Sequence, residues 1–324
     1  MKGVSVVIPA RNMQATIART LDSLCIQEID LPVEVIVVDN ASTDDTVVIA
    51  RQHPIGRKWP LRVIVKEHVS SLSSSYNQGW KTASFNYVVL MHSDCYVTNS
   101  DALSKMVSPM MEDEAVVAVQ SRTTVPVGEW GRLGFWDRVS AARYMGHESH
   151  AFGGRFDGLR RSAMAEIGGF DAERFFSAGE DVDLYVRLSA IGRIVPAEVR
   201  VVHGHEHPKD STVKYMLRKQ WQLGEGLGAI WRIHGWRLVR YGVLMFTCGH
   251  VVKALLLVLL VVPPVSLYAA VILLAMALAY SWRALLVPDW RIALMPFVNI
   301  AQFAAVVGGA VRGYVNGRQN FNYK

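Results

Sequence analysis

The chain opens with VSVVIPARN (Val4–Asn12) and, about one helix later, carries EVIVVDNASTDDT (Glu34–Thr46). Each block is an apolar run that stops abruptly at polar residues, and the valine-rich run of the second ends on an acid, Asp39. Strands buried on both faces of a parallel sheet read this way, with their polar residues gathered in the loop at the C-terminal end. Ligands of open α/β sheets sit at those ends. An acid held there suits a ribose or base hydroxyl rather than a phosphate, and neither GxGxxG nor GxxxxGK[ST] occurs to cradle phosphates. The first fifty residues therefore predict a nucleotide-binding domain that lacks a phosphate loop.

Strand and helix alternate through the first half. Strands are predicted at Val4–Pro9, Val33–Asp39, Leu61–Lys66, Tyr87–His92 and Ala115–Ser121, with helices at Met13–Gln27, Asp44–Gln52, Ser73–Ala83 and Asp101–Glu112. Thr43 and Ser100 are the expected N-caps of the second and fourth helices. This order predicts an α/β fold with a mostly parallel, Rossmann-like sheet. The pattern then breaks into Gly- and Trp-rich sequence with a helix near Gly134–Met145. It resumes with a strand at Phe156–Arg160 and a helix from Glu180 to Ile191.

The end of the chain differs. From Ala254 to Trp282 there are 29 residues without a charge, more than the roughly 20 that cross a bilayer core. Pro263-Pro264 interrupts the run, so two spans are expected, at Tyr241–Val262 and Val265–Trp282, with a possible third at Ile292–Val311. Residues 212–324 hold 12 Lys/Arg and 2 acids, a net of +10, which leaves −4 on residues 1–211 given +6 overall. Readers of nucleic acid carry their basic face on the folded domain, so this distribution argues against nucleic acid. It fits a basic amphipathic segment over 212–240 (Lys214, Arg218, Lys219, Arg232, Arg237, Arg240) lying on anionic lipid, with the preceding domain cytoplasmic. Cys25, Cys95 and Cys248 form no CxxC pair, so neither a disulfide framework nor a zinc site is implied.

Three segments can carry chemistry. In LMHSDCY (Leu90–Tyr96), Asp94 at a strand end is either a ligand for a divalent cation or a turn former, and His92 stands where a second carboxylate would complete a pair. In GEDVDLYVRL (Gly179–Leu188), Glu180 and Asp181 open a helix, as a general base and its neighbour or as dipole-complementing caps. Asp183 and Arg187 have the spacing of an i,i+4 pair. In VVHGHEHP (Val201–Pro208), His203, His205 and His207 alternate, as ligands on one side of an extended segment or as a polar loop, and His203 at the strand end is favoured.

These pieces, in this order, resemble family 2 glycosyltransferases of the GT-A fold over about Val4–Gly228. VSVVIPARN is similar to the family's opening strand and nucleotide loop, which implies Pro9, Ala10, Arg11 and Asn12 at the nucleotide. VVDNASTDDT resembles its VVDD-S-DGT block, placing Asp39 and Ser42 at the nucleoside end. YNQGW, with Asn77 and Gly79, resembles the N-G segment beneath the nucleotide. HSDCY, with Ser93 and Asp94, sits where the family has its metal-binding Asp-x-Asp, and His92 departs from that pattern. The stretch from Phe156 to Leu188 resembles the acceptor half, which implies Asp181 as catalytic base with Glu180 beside it. His203 matches a position where many GT-A enzymes supply a metal ligand.

KYMLRKQWQLGEGLG (Lys214–Gly228) resembles the segment that precedes the membrane helices of bacterial exopolysaccharide-type members. The chain has Lys219-Gln220-Trp221-Gln222 where processive synthases have Gln-x-x-Arg-Trp, which disfavours polymer extrusion. The resemblance thus implies a GT-A domain over 1–211, with a nucleotide half at 1–122 and an acceptor half at 123–211, followed by a membrane region at 241–324. It implies an inverting hexosyltransferase of the cell membrane that uses a UDP-linked sugar, Mn²⁺ or Mg²⁺ at Asp94 and His203 (with His92), and a polyprenyl-linked glycan acceptor. Two alternatives stay open: a polyprenyl-phosphate sugar synthase, and a non-catalytic nucleotide-sugar-binding membrane scaffold. The oligomeric state is left open.

Overall fold

The computed structural model describes residues 1–125, 127–142, 144–149, 152–204, 211–241 and 243–320. The chain divides into two compact units: Met1–Pro126, Gly146–Ala172 and Glu180–Glu206 form one, and Val127–Met145, Glu173–Gly179 and His207–Lys324 the other.

The first unit is built on a nine-stranded sheet. Its parallel half comprises β1 (Val4–Ala10), β2 (Val33–Asp39), β3 (Leu61–Val65) and β4 (Tyr87–Met91), in the order β3-β2-β1-β4. Every residue of β1, β2 and β4 is buried, which is why these strands are continuous apolar runs rather than alternating ones. Between them lie α1 (Ile17–Cys25), α2 (Thr46–Gln52), the short α3 (Ile55–Lys58) and α4 (Leu72–Thr82). Helix α1 buries Ile17, Leu21 and Leu24, spaced as one helical face. Helix α4 starts where the Ser71 hydroxyl accepts from the Ser74 amide, at 3.0 Å. It lies so close to β1 that a Cβ on Gly79 would stand 2.2 Å from Val7 Cγ1.

The other half of the sheet is mixed, so the mostly parallel order expected from the βα alternation describes only the first half. Helix α5 (Ala102–Glu112) leads into β6 (Val116–Thr124). Strand β8 (Phe156–Arg160) pairs antiparallel with both β4 and β6, whereas β9 (Arg193–His203) runs parallel to β6 and antiparallel to β5 (Cys95–Val97). The small β7 (Glu148–Ser149) pairs with β6. Helices α7 (Arg161–Glu166) and α8 (Glu180–Ser189) complete the unit. The N-caps fall later than expected, at Asp45 for α2 and Asp101 for α5. The Thr43 amide instead donates to Asn12 Oδ1 at 2.8 Å, joining the loops after β1 and β2.

The second unit contains α6 (Phe135–Ala141), α9 (Val213–His234), α10 (Val243–Leu259), α11 (Ser266–Tyr280) and α12 (Met295–Asn316). Among the described residues only α12 is long and apolar enough to cross a membrane. The two spans expected around Pro263-Pro264 become the shorter apolar helices α10 and α11, because the chain leaves helical geometry after Leu259 and resumes it only at Ser266, just past the prolines.

Helices α9 and α12 pack through glycine. A Cβ on Gly228 would lie 2.0 Å from the Ala310 carbonyl oxygen, and one on Gly313 would lie 2.0 Å from that of Glu225. This contact buries Glu225, whose carboxylate accepts from Trp221 Nε1 (3.0 Å) and the Asn320 amide (3.0 Å) and pairs with Arg312 (3.2 Å). Gln319 follows the end of α12. Its side-chain oxygen accepts from the Phe176 and Ser177 amides (2.6 and 3.1 Å) in the segment that runs into Glu180.

Candidate active site

The site begins at the C-terminal ends of β1 and β2. Asp39 is fully buried, and its Oδ2 accepts from the Ser42 amide at 3.0 Å. Its Oδ1 is buried with no hydrogen-bond partner among the described residues, an acceptor left over for something the protein does not supply. The Ser42 hydroxyl in turn accepts from the Asn12 amide at 2.9 Å. Asn12 and Ala41 both take positive φ (53° and 57°), a backbone state that non-glycine residues hold only when their surroundings impose it. Pro9 and Ala10 pair with Val38 and Asp39 across the sheet, and Arg11 is exposed at the start of the loop.

Asn77 and Gly79 serve packing. The Asn77 amide group donates to the Phe170 carbonyl (2.8 Å) and accepts from the Phe170 amide (2.9 Å) and Trp80 Nε1 (2.8 Å), which fastens the Gly168-Gly169 turn to α4. Ser93 is buried, and its carbonyl accepts from the Thr20 hydroxyl at 2.9 Å.

Beyond β4 the chain makes a tight turn, in which the Cys95 amide donates to the His92 carbonyl, and then enters β5. The β5–β9 register sets Cys95 opposite His203. His203 Nε2 thereby comes to 3.1 Å from Asp94 Oδ2, and His92 Nδ1 to 3.9 Å from Asp94 Oδ1. One ligand atom from each of His92, Asp94, Cys95 and His203 lies within 4.8 Å of the others. Burial pushes the Cys95 thiol well above its usual range, so Cys95 stays protonated and is the weakest donor of the four. Two imidazoles and one carboxylate remain, a donor set that fits a divalent transition cation. His205 and His207 lie outside the described residues.

Asp181 is in the first turn of α8. Burial raises its carboxyl above the usual carboxylate range, and the nearby Arg155 guanidinium pulls it back down. Glu180, one residue earlier, is buried. The i,i+4 pair forms as the spacing suggested, with Arg187 Nη2 2.6 Å from Asp183 Oδ2.

Three further residues, none of them singled out as a site residue by the sequence, connect these parts. The Arg155 carbonyl accepts from the His92 amide at 3.2 Å. Asp157, buried within β8, accepts from the amides of Gly153 (2.9 Å), Gly154 (2.7 Å) and Ser121 (3.2 Å). Burial pushes its carboxyl up to about 6. The Tyr76 hydroxyl donates to the Gly154 carbonyl at 2.9 Å, while its ring stacks between Phe170 and His92, at 5.0 and 6.3 Å. In the sequence Tyr76 falls in YNQGW and Asp157 in the stretch from Phe156 to Leu188, but neither pattern marks Arg155 or the bonds that join the three.

The profile for Glycosyl transferase family 2 matches residues 5–168, and that for Glycosyl transferase family group 2 matches residues 87–283. The O-antigen biosynthesis protein RfbC of Myxococcus xanthus is 29% identical over 230 residues, which is 63% of this chain and 17% of that protein, so this chain spans about a sixth of that relative's length. Among solved structures, the mannosyltransferase PcManGT from Pyrobaculum calidifontis, in complex with GDP-Man and Mn²⁺, superposes with a TM-score of 0.61 at 20% identity. That alignment covers 97% of this chain and 87% of the mannosyltransferase. GalNAc-T7 with UDP, GalNAc and Mn²⁺ gives a TM-score of 0.52 at 16% identity, over 71% of this chain and 50% of that one. The sheet and its turns therefore form a GT-A fold, and the chain, matched over just over half its length by the family profile, belongs to glycosyl transferase family 2.

Proposed function

We propose that this chain transfers a hexose, with inversion, from a UDP-linked sugar to a hydroxyl of a membrane-associated, polyprenyl-linked glycan. The observation that carries the reading is the Gly153–Arg155 stretch. It is pinned by Asp157, bonded to the His92 amide, and places the Arg155 guanidinium beside Asp181. One hydrogen-bonded segment thus links a cluster that could hold a cation to a buried carboxylate.

In this reading the loops carrying Pro9, Ala10, Arg11, Asn12, Asp39 and Ser42 hold the nucleoside, with the unpaired Asp39 oxygen taking a hydroxyl. Asn77, Gly79 and Ser93 support that pocket through packing. Asp94, His203 and His92 would hold a divalent cation, which when bound offsets the charge on a departing diphosphate. Their two imidazoles favour Mn²⁺ over Mg²⁺, and both structural relatives described above carry Mn²⁺. Asp181 accepts the proton of the attacking hydroxyl, its raised affinity for protons making it a stronger base. Glu180 shapes the acceptor side. A single in-line displacement inverts the anomeric centre. The apolar helices α10–α12 and the O-antigen relative support a lipid-linked acceptor, and the basic residues of 212–240 support a cytoplasmic active site at the cell membrane.

The test is release of UDP by the purified full chain, given UDP-sugar and lipid extract, with Mn²⁺ or with EDTA. Asp181→Asn should lower turnover by about 10²–10⁴-fold and leave UDP binding intact. Because only the carboxylate accepts a proton, the wild-type rate should rise with pH through the raised pKa of Asp181. Near-normal turnover in Asp181→Asn would overturn the base assignment. It would favour a lipid phosphate as acceptor, since a phosphate oxygen needs no base.

A further inference from the structure

Arg155 has a chemistry that the proposed reaction does not yet use. Its residue is half-buried, and its Nε is shielded from solvent with no hydrogen-bond partner among the described residues. Among those residues its guanidinium also makes no ion pair within 4 Å, although Asp157 and Asp181 both lie within its field. Asp157 is committed to three main-chain amides, whereas of Asp181 only Oδ1 is engaged, by the Val182 amide at 2.8 Å. A guanidinium presents five donors in a planar fork that matches two oxygens of a phosphate. Shielding Nε from water without a partner is costly, a cost that a bound anion would relieve.

The backbone of Arg155 is fixed on both sides. Its carbonyl holds the His92 amide, and Gly153 and Gly154 before it are held by Asp157. A Cβ built on Gly153 would lie 2.8 Å from Arg155 Nη1 and 3.7 Å from Asp181 Oδ2, so the guanidinium and the proposed base both border Gly153, and a side chain added there would have to displace the end of Arg155. From these observations we propose that Arg155 is a phosphate-binding group of this cleft. The proposal rests on the glycosyltransferase reading above and adds a residue to it. The phosphate comes either from the donor diphosphate or from the lipid acceptor.

Two probes separate these sources: UDP, with uridine as control, and polyprenyl phosphate in phosphatidylcholine vesicles. Both are titrated against the wild-type chain, Arg155→Gln and Arg155→Lys, in EDTA and in Mn²⁺. If the donor diphosphate is the ligand, Arg155→Gln should bind UDP about 10- to 100-fold more weakly with uridine unchanged, and Arg155→Lys should recover part of the loss. If the lipid phosphate is the ligand, the same loss should appear with the vesicles instead. A folded Arg155→Gln chain that binds both probes like the wild type would overturn the proposal, even if its pH–rate profile shifts, because Arg155 would then act only on Asp181. A wild-type chain that binds neither probe would sink the proposed function together with this inference.

Discussion

Asp157 gives the sharpest quantitative expectation. Its carboxyl is buried in β8 and pushed up from 3.8 to about 6, with burial the largest cause and the three amide donors and Arg155 acting in the opposite direction. The folded pKa therefore lies above the unfolded one. Folded chains bind an extra proton between these values, so the contribution to stability is full below about 3.8 and is lost as pH rises through about 6. The interval corresponds to about 3 kcal/mol. Asp157→Asn removes the titration but keeps the shape. Its amide oxygen can still accept from Gly153 and Gly154, while its NH₂ faces the Ser121 amide that Asp157 Oδ1 now accepts at 3.2 Å. Opposing that donor costs about 1–3 kcal/mol at every pH. The variant should therefore be less stable than the wild type near pH 4 and close to it at pH 7. Urea unfolding of both chains at pH 4, 5, 6 and 7, followed by tryptophan fluorescence, reads the difference directly, and titrations common to both cancel. A wild-type-minus-variant difference that stays flat across this range would refute the argument.

Two further outcomes follow from the same geometry. Asp39→Asn should weaken UDP binding by about tenfold or more, because an amide nitrogen replaces the buried acceptor that has no partner among the described residues; unchanged affinity by calorimetry would remove Asp39 from the nucleoside pocket. Gly313→Ala should cost about 1–3 kcal/mol or force α9 and α12 apart, since the methyl would stand 2.0 Å from the Glu225 carbonyl oxygen. Gly249→Ala in α10, which meets nothing within 4 Å, is the matched control and should leave the thermal midpoint unchanged or higher.

How legible the molecule was depends on how far apart in sequence the interacting residues are. Strands β1, β2 and β4 announce themselves as apolar runs because each is buried on both faces, a property of a few consecutive residues. Strand β9 does not. It carries Arg193, Glu198 and Arg200 among its valines, and it is a strand because β6 and β5 flank it from more than 70 residues away. The same distance hides Arg155 and Asp157, whose partners Ser121, His92 and Asp181 come from separate elements. It also hides Gln319, which ties the tail after α12 to the segment before Glu180.

The His92 departure shows what such pairing changes. Motif spacing alone marks His92 as the loss of a carboxylate. The structure instead sets His92 itself in one cluster with Asp94 and His203, so the position still offers a ligand atom while the donor type changes from oxygen to nitrogen. With one carboxylate in place of two, a cation bound there keeps one more unit of positive charge to set against a diphosphate. Arg155, whose carbonyl accepts from the His92 amide, adds a second positive charge. A cleft arranged in this way lacks one acid of the expected pair but not the positive charge that an anionic donor requires, which is why the substitution at His92 argues for a differently tuned transferase rather than for a silent binding protein.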